Sequence, residues 1–237
     1  MSKSYGQFRY SGSDNLEVML EAKNYNRFLT NEVLRHRIGN DPILDFGAGV
    51  GTFSMMIRES GVEVDCYEID KNHCDILSQN GFRFFSAPEE IPEVSYDYVF
   101  SLNVFEHIED DLDAAKKVFK MLRPGGQIYI YVPAFQVLFG DMDRKVEHYR
   151  RYTRSNLQKL VENAGFQTRQ TGYVDFIGYF ATLAYNVISN GSGDINTRSL
   201  RIYDKFAFPI SRLIDRISEP FLGKSVFVIA RKPVDAS

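Results

Sequence analysis

The stretch DFGAGVG, from Asp45 to Gly51, decides how this sequence is interpreted, because it joins a short apolar strand to a glycine-rich turn. Residues 43–46 have the apolar character of a buried strand, and residues 52–60 have the pattern of a helix. Glycines remove Cβ atoms where a ligand must approach the backbone, and the first turn of a helix presents unpaired N–H groups. In an open parallel sheet, ligands bind beyond the carboxyl ends of the strands. The stretch therefore predicts a ligand site between strand and helix.

The same strand–helix unit recurs along the chain and predicts an α/β protein. Strands are predicted at 43–46, 62–69, 82–85, 96–102, 127–132, 166–173 and 225–230, and helices at 14–37, 52–60, 71–79, 110–122 and 153–165. This alternation favours a Rossmann-like, doubly wound, mostly parallel seven-stranded sheet with helices on both faces.

The sequence is interpreted as one domain over residues 1–237, with a helical lobe inserted before the final strand. Its parts are an N-terminal helical cap (1–40), a ligand-binding core (41–173), the lobe or lid (174–222) and the final strand (223–232). In the lobe, the apolar residues Tyr203, Phe206, Ile210, Leu213, Ile214 and Ile217 recur at helical spacing, and Arg201, Lys205, Arg212 and Arg216 fall on another face. This pattern favours an amphipathic helix that covers the sheet edge, with Pro209 as a kink. A lid, a dimer contact and a peripheral membrane surface are the alternatives.

The composition is that of an ordinary globular protein and predicts no nucleic-acid partner. The 237 residues carry 28 Lys+Arg against 31 Asp+Glu, a formal net charge of -3, so there is no general attraction to phosphate backbones. No stretch reaches the roughly 18 apolar residues of a transmembrane helix, and residues 1–9 lack an apolar leader. Cys66, Cys74, the histidines and the carboxylates show no metal-ligand spacing, so no metal is predicted. We therefore expect a cytoplasmic protein without a transmembrane segment.

The acidic residue Glu68 indicates a ligand that carries a ribose. Glu68 closes the second predicted strand about twenty residues after the turn, where a carboxylate can hold two ribose hydroxyls. Nicotinamide enzymes share this acid, but their glycine turn reads G-x-G-x-x-G. Here the third glycine is Gly51 and position 52 is Thr, so the spacing differs by one residue. A nicotinamide-dependent oxidoreductase remains an alternative because it shares the glycine turn and the acid, although such an enzyme requires the other glycine spacing.

The ordered motif residues resemble those of class I S-adenosylmethionine-dependent methyltransferases, and the resemblance covers most of residues 43–165. It implies S-adenosylmethionine as the cofactor and a last strand that is antiparallel to the others. The implied cofactor-binding residues are Asp45, Gly47, Ala48, Gly49 and Gly51 at the methionine end, Glu68 at the ribose, Ile69, Ser86 and Ala87 near adenine, Leu102 and Asn103 facing the sulfonium, and Tyr25 closing over the cofactor. The family often has Asp where this chain has Ser86.

The acceptor side of the predicted site depends on the loops after the fourth and fifth strands. His107 follows the fourth strand and His148 lies in the loop after the fifth, so both are candidates for catalysis. Alternatively, His107 holds its loop through a hydrogen bond. Residues 147–153 resemble a segment common in bacterial methyltransferases of this general type, including members linked to saccharide and secondary-metabolite pathways. The candidate acceptor contacts are Tyr149, Arg150, Arg151 and Tyr152; the alternatives are core packing of the tyrosines and ion pairs of the arginines with Asp141, Asp143 or Glu147.

These features together predict transfer of a methyl group from S-adenosylmethionine to an oxygen or nitrogen of a small polar acceptor, such as a sugar or a lipid-linked saccharide. Residues 102–105 read Leu-Asn-Val-Phe, which differs from the Asn/Asp-Pro-Pro-Tyr/Phe motif of adenine-N6 and glutamine methyltransferases. A further alternative is a regulatory protein that binds the cofactor without turnover, because fold and pocket do not prove chemistry.

Overall fold

The computed structural model describes residues 20–188 and 196–235, which form a seven-stranded sheet covered by helices. The strands are β1 (Ile43–Phe46), β2 (Val64–Tyr67), β3 (Phe84–Phe85), β4 (Tyr96–Leu102), β5 (Leu122–Pro133), β6 (Gln167–Val174) and β7 (Ser225–Arg231). Their order in the sheet is β3-β2-β1-β4-β5-β7-β6. β7 is antiparallel to β5 and β6, and the other neighbours are parallel. The predicted fold class is confirmed, including the antiparallel last strand.

The described helices are α1 (Lys23–His36), α2 (Thr52–Glu59), α3 (Lys71–Gln79), α4 (Asp111–Met121), α5 (Asp141–Lys145), α6 (Arg154–Asn163), α7 (Phe176–Ile188), α8 (Thr197–Ile202) and α9 (Phe208–Ser218). Helices α2, α3, α4 and α6 lie close to their predicted positions, whereas no helix was predicted at α5, and α7 to α9 belong to the lobe. Short 3-10 turns lie at Pro88–Glu90, Phe105–His107 and Gln136–Leu138, and a π-helical turn lies at Tyr203–Ala207.

Within the described residues, the first helix begins at Lys23, and residues 20–22 are not helical. The carboxylate of Asp204 accepts hydrogen bonds from the N–H groups of Asn24 and Tyr25, both at 2.9 Å. A carboxylate at this position satisfies donors that have no partner inside the helix. Residues 14–19, where the predicted helix started, lie outside the described residues.

Both faces of the sheet are buried, which explains why its central strands are continuous apolar runs. All four residues of β1 are buried, with Ile43 in one hydrophobic cluster and Leu44 in the other. Successive side chains of a strand point to opposite faces, so neighbouring residues of β1 contribute to different layers. The carboxyl ends of the parallel strands β1, β2 and β4 therefore meet at one edge, where the glycine turn lies.

Polar contacts hold the lobe between β6 and β7 in place. The carboxylate of Asp215 in α9 accepts hydrogen bonds from the N–H groups of Asp175 and Phe176, both at 2.9 Å. Ser211 Oγ accepts one from the N–H of Ile177, also at 2.9 Å. The buried side of α9 thus supplies the acceptors that the N-terminus of α7 lacks.

The apolar side of α9 faces solvent, so the prediction that it covers the sheet edge is wrong. We call this stripe the lobe surface; its residues Phe206, Ile210, Leu213 and Ile217 are 53–79% exposed. Ser211 and Asp215 of α9 are buried because they bind the N-terminus of α7, and the apolar stripe therefore faces outward. Pro209 lies at the start of α9, directly after the π-helical turn at Tyr203–Ala207, so the regular α-helical pattern is interrupted just before it. The expected kink there stays a prediction. Among the described residues, no helix is long and apolar enough to span a membrane.

Candidate cofactor and acceptor site

The three glycines of the turn meet different surroundings. All have a positive φ, at 88° for Gly47, 56° for Gly49 and 83° for Gly51. A Cβ on Gly47 would lie 2.5 Å from Val104 Cγ1, and one on Gly51 would lie 2.7 Å from Leu77 Cδ2. A Cβ on Gly49 would have no described atom within 4 Å. Packing therefore requires the first and third glycines, whereas the second borders open space.

The carboxylate of Glu68 connects the turn to the end of β2. It accepts hydrogen bonds from the N–H groups of Gly49 at 2.7 Å, Ile69 at 2.8 Å and Asp70 at 2.8 Å. A carboxylate has about four acceptor positions, so one remains for a ligand hydroxyl. Beside it, the side chain of Ile69 is 54% exposed. The open space at Gly49, the acid and the exposed apolar side chain fit a nucleoside cofactor such as S-adenosylmethionine.

Asp45 lies beneath the turn and is buried. Ser54 Oγ donates a hydrogen bond to Asp45 Oδ2 at 2.6 Å. Burial raises the pKa of Asp45 to about 7, against which the bond from Ser54 acts. In this structure Asp45 therefore ties β1 to α2, and its predicted contact with the cofactor stays a prediction.

The predicted adenine contacts at the end of β3 already have a partner. Glu90 accepts hydrogen bonds from the N–H groups of Ser86 at 2.8 Å and Ala87 at 3.3 Å, and its carboxylate also binds Ser86 Oγ. A ligand that bonds either N–H group has to replace Glu90 there. Glu90, in the next turn, thus supplies a carboxylate at the position of Ser86, where the resembling family often has Asp.

Tyr25 packs near the end of β4, and its predicted closure over the cofactor stays a prediction. Its ring is buried, lies edge to face with Tyr131 at 6.3 Å, and packs in the same hydrophobic cluster as Leu102; burial raises the pKa of Tyr25 to about 12. Asn103 has a φ of 55°, an uncommon conformation for a residue other than glycine, directly after the buried Leu102. The structure therefore brings Tyr25, Leu102 and Asn103 together at the carboxyl edge of the sheet.

The two candidate catalytic histidines face each other beside a buried acid. The rings of His107 and His148 are 4.4 Å apart, edge to face, and His148 Nε2 lies 3.9 Å from Glu106 Oε1. Burial raises the pKa of Glu106 to about 7 and lowers the pKa of His107 to about 3. The expectation that no ligand cluster exists is corrected here, because Glu106, His107 and His148 offer donor atoms within 4.8 Å of one another. The sequence spacing hid this cluster, since His148 comes from a separate loop.

A buried ion pair fixes His148. Its Nδ1 lies 2.7 Å from Asp143 Oδ1, and Asp143 also accepts bonds from Arg151 Nε at 2.8 Å and from the second guanidinium nitrogen at 3.0 Å. Burial alone would raise the pKa of Asp143, but the bonds from His148 and Arg151 lower it to about 2. Asp143 is therefore a carboxylate at neutral pH, and the proton between the two groups lies on Nδ1.

The remaining predicted acceptor contacts mostly bind the chain itself. Arg150 pairs with Asp111 at 2.7 Å, and the hydroxyl of Tyr152 donates to Phe105 O at 3.0 Å or to Asp111 Oδ2 at 2.8 Å. The Arg151–Asp143 pair is one of the alternative ion pairs named above, whereas the partner of Arg150, Asp111, was not among them. Tyr149 is the exposed member of the segment.

A group of polar residues near Tyr25, of which Asp175 is buried and Lys224 and Tyr203 are half-buried, was not predicted from the sequence. Lys224 Nζ lies 5.6 Å from the centre of the Tyr25 ring, and burial lowers the pKa of Lys224, although Asp175 acts in the opposite direction. Asp175 Oδ1 accepts a hydrogen bond from the Tyr203 hydroxyl at 2.5 Å, and Asp175 Oδ2 has no hydrogen-bond partner among the described residues. The only available signal was that Lys224 directly precedes the last strand.

The sheet order, the glycine turn and the acid after β2 define a Rossmann-like methyltransferase domain. A family of methyltransferase domains matches residues 14–171, which is more than half of the chain. The chain therefore belongs to this methyltransferase family. This membership confirms the predicted class and the predicted cofactor, S-adenosylmethionine.

Curated relatives and a solved structure show similar domains. A probable S-adenosylmethionine-dependent methyltransferase of Mycolicibacterium smegmatis is 26% identical over 150 residues, covering 58% of this chain and 56% of the relative. Phosphoethanolamine N-methyltransferase 2 of Caenorhabditis elegans is 26% identical over 147 residues, covering 56% of this chain and 32% of the relative. The chain thus matches only about half, or less, of the length of these relatives. A SAM-dependent methyltransferase structure from Archaeoglobus fulgidus shares the fold, with a TM-score of 0.59, 16% identity, and coverage of 90% of this chain and 98% of that chain.

Proposed function

We propose that this chain transfers a methyl group from S-adenosylmethionine to an oxygen or nitrogen of a small polar acceptor. The geometry of the turn supports this most directly: Gly49 borders open space, Glu68 lies against it, and Ile69 is exposed beside them. When bound, S-adenosylmethionine supplies an activated methyl group. The residues of the chain have to hold the acceptor in line with that group and exclude water.

The acceptor lies beside His107 and His148 in this proposal. A lowered pKa keeps His107 neutral at pH 7, and a neutral imidazole nitrogen accepts a hydrogen bond from a hydroxyl or ammonium group. In His148, the bond of Nδ1 to Asp143 leaves Nε2 as the nitrogen that faces an acceptor. An imidazole held in this way adds about 10²- to 10⁴-fold to the rate when it removes a proton in the transition state. Tyr149 lines the outer side, and Arg150, Arg151 and Tyr152 support the loop.

The acceptor class we favour is a sugar or a lipid-linked saccharide. The support is the lobe surface, an apolar stripe exposed to solvent near the basic residues Lys205 and Arg216. An apolar stripe flanked by basic side chains is typical of helices that lie in the interface of an anionic membrane. A peripheral contact of this kind would bring the domain to an acceptor held by a lipid. The cytoplasmic location stays a prediction.

Cofactor binding tests the first step of the proposal. We expect S-adenosylmethionine and S-adenosylhomocysteine to raise the melting temperature, since a ligand at a hundred times its Kd stabilises by about 2.7 kcal/mol. Glu68→Ala removes the acid at the turn and should abolish the shift. Glu63→Ala, an exposed acid at the start of the same strand region, should leave it unchanged. A shift with NAD alone, or none with either sulfur compound, would overturn the proposal.

Methyl transfer tests the second step. Purified chain and cofactor with a radiolabelled methyl group are incubated with free sugars, lipid-linked saccharides and small amines, and labelled product is counted. We expect label in one acceptor class, and His148→Ala to lower turnover while the cofactor-induced melting shift persists. Cofactor binding without transfer to any acceptor would instead favour the non-catalytic regulatory protein.

A further inference from the structure

Glu106 is a buried acid without the partners that burial normally demands. Its side chain is fully buried, and neither carboxylate oxygen has a hydrogen-bond partner among the described residues. Leaving a buried polar group unpaired costs about 1 to 3 kcal/mol, and more when the group is charged. The two nearest imidazoles, His107 and His148, complete a set of three donor atoms within 4.8 Å of one another. A bound cation would satisfy the acid and use both imidazoles.

The surroundings of the two histidines are those of metal ligands. Imidazoles that bind metals donate their second N–H to a carboxylate or a backbone carbonyl, which fixes the ring and its tautomer. His148 bonds Asp143 through Nδ1, and Asp143 is itself held by Arg151 and by the N–H of Gly140 at 2.9 Å. His107 has a hydrogen bond to the backbone of Val146. Each imidazole therefore has an outer partner that orients its other nitrogen.

We propose that Glu106, His107 and His148 bind one divalent transition-metal ion. The role that we give this ion rests on the proposed function, but the binding of the ion does not. Two imidazoles and one carboxylate suit ions such as Zn²⁺ and Mn²⁺ better than Ca²⁺ or Mg²⁺, which prefer oxygen ligands. With ligand distances of about 2.0 to 2.2 Å, tetrahedral donors lie about 3.3 to 3.6 Å from one another, so the side chains have to move closer together when the ion binds.

The place of this cluster suggests what the ion does. Glu106 lies three residues after Asn103 in the loop that follows β4, and Asn103 is one of the residues predicted to face the sulfonium. Three protein ligands leave a coordination position open, as in catalytic metal sites. The ion would hold and orient an acceptor oxygen at this open position, and His148 would then act through the ion instead of removing the proton as described above.

Metal binding by the whole chain tests the proposal without any methyl transfer. The protein is stripped with a chelator and titrated with Zn²⁺, Mn²⁺ and Mg²⁺ by calorimetry, and Co²⁺ is added to record its visible absorption. We expect one Zn²⁺ or Mn²⁺ per chain, weaker Mg²⁺ binding, and a Co²⁺ spectrum that indicates nitrogen ligands.

Variants separate this site from adventitious binding. Glu106→Gln and His148→Ala should weaken the affinity at least 100-fold, and Asp143→Asn about 10- to 100-fold because it orients His148. Glu109→Gln, an exposed acid of the same loop, should bind as the unaltered chain does. Glu106→Gln removes an unpartnered charge, so it is expected to fold, and circular dichroism checks this.

Two results would overturn the metal site. One is the absence of stoichiometric binding by the unaltered chain, and the other is unchanged affinity in Glu106→Gln and His148→Ala. The melting shift with S-adenosylhomocysteine is measured on the same samples. Loss of that shift alone would contradict the proposed function and leave the metal site standing, so the two failures are distinguishable.

Discussion

At the scale of single residues, the glycines of the turn separate stability from ligand binding. Gly49→Ala places a methyl group in open space, so we expect a stability loss of only about 1 kcal/mol from the positive φ. The same methyl group should clash with the cofactor and weaken S-adenosylhomocysteine binding at least tenfold. Gly47→Ala meets Val104 at 2.5 Å and should destabilise the chain by more. Urea unfolding and calorimetry measure the two effects; equal stability losses in the two variants would contradict the distinction.

Asp45 predicts a pH dependence of the stability. Its folded pKa of about 7 lies above the ordinary value of 3.8, because burial disfavours the charged form. The folded state thus binds the proton more tightly, and the contribution of Asp45 is present below the ordinary pKa and lost as the pH rises toward 7. Between pH 5 and 7 the free energy of unfolding should fall by about 2 kcal/mol more in the unaltered chain than in Asp45→Asn. If the free energy of unfolding, measured with urea, changed equally with pH in the two proteins, Asp45 would not be the source of this pH dependence.

The arrangement of the glycine turn and Glu68 could be predicted from the spacing of residues in the sequence, whereas the arrangement of the acceptor side could not. Gly47, Gly49, Gly51 and Glu68 lie in one strand–turn–helix–strand unit, so their spacing in the sequence fixes their spacing in space. The cluster of Glu106 with His148 joins separate loops, and its geometry depends on how Asp143 holds the second loop. No local pattern reports such a contact.

At the scale of elements, α9 stabilises α7 through its buried acid. Asp215→Ala removes acceptors for two N–H groups at the start of α7 and should lower the free energy of unfolding by about 2 kcal/mol. Asp215→Asn keeps one acceptor oxygen and should lose less. Arg216→Ala, an exposed neighbour, serves as the control, and thermal and urea unfolding are the measurements. If the free energy of unfolding fell equally in the two Asp215 variants and in the control, the capping role of Asp215 would be refuted.

The orientation of α9 shows a limit of periodicity. The spacing of Phe206, Ile210, Leu213 and Ile217 correctly indicates one helical stripe, but periodicity does not say which stripe faces the protein. Here Asp215 and Ser211 are drawn inward by the unpaired donors of α7, and the apolar stripe turns outward. By contrast, the strands were predicted well, because β1 and its neighbours are buried on both faces and leave no such choice.

At the scale of the whole molecule, the lobe surface predicts membrane association. The chain should sediment with vesicles that contain phosphatidylglycerol, and Ile210→Ser combined with Leu213→Ser should reduce this binding at least fivefold with little change in stability, since both side chains are exposed. Binding should weaken with salt because basic side chains contribute. Vesicles of phosphatidylcholine alone and a Glu63→Ala variant are the controls. Equal sedimentation of the double variant would exclude the lobe surface as the contact.

The position of β7 inside the sheet constrains how the domain is made. Ser225–Arg231 lies between β5 and β6, although it is the last strand to be synthesised. Until it emerges from the ribosome, β5 and β6 both lack a neighbour, and unpaired strand edges promote aggregation. Folding of the sheet therefore cannot finish until this strand has been synthesised. The domain thus depends on protection of its nascent chain until nearly all of it has been made.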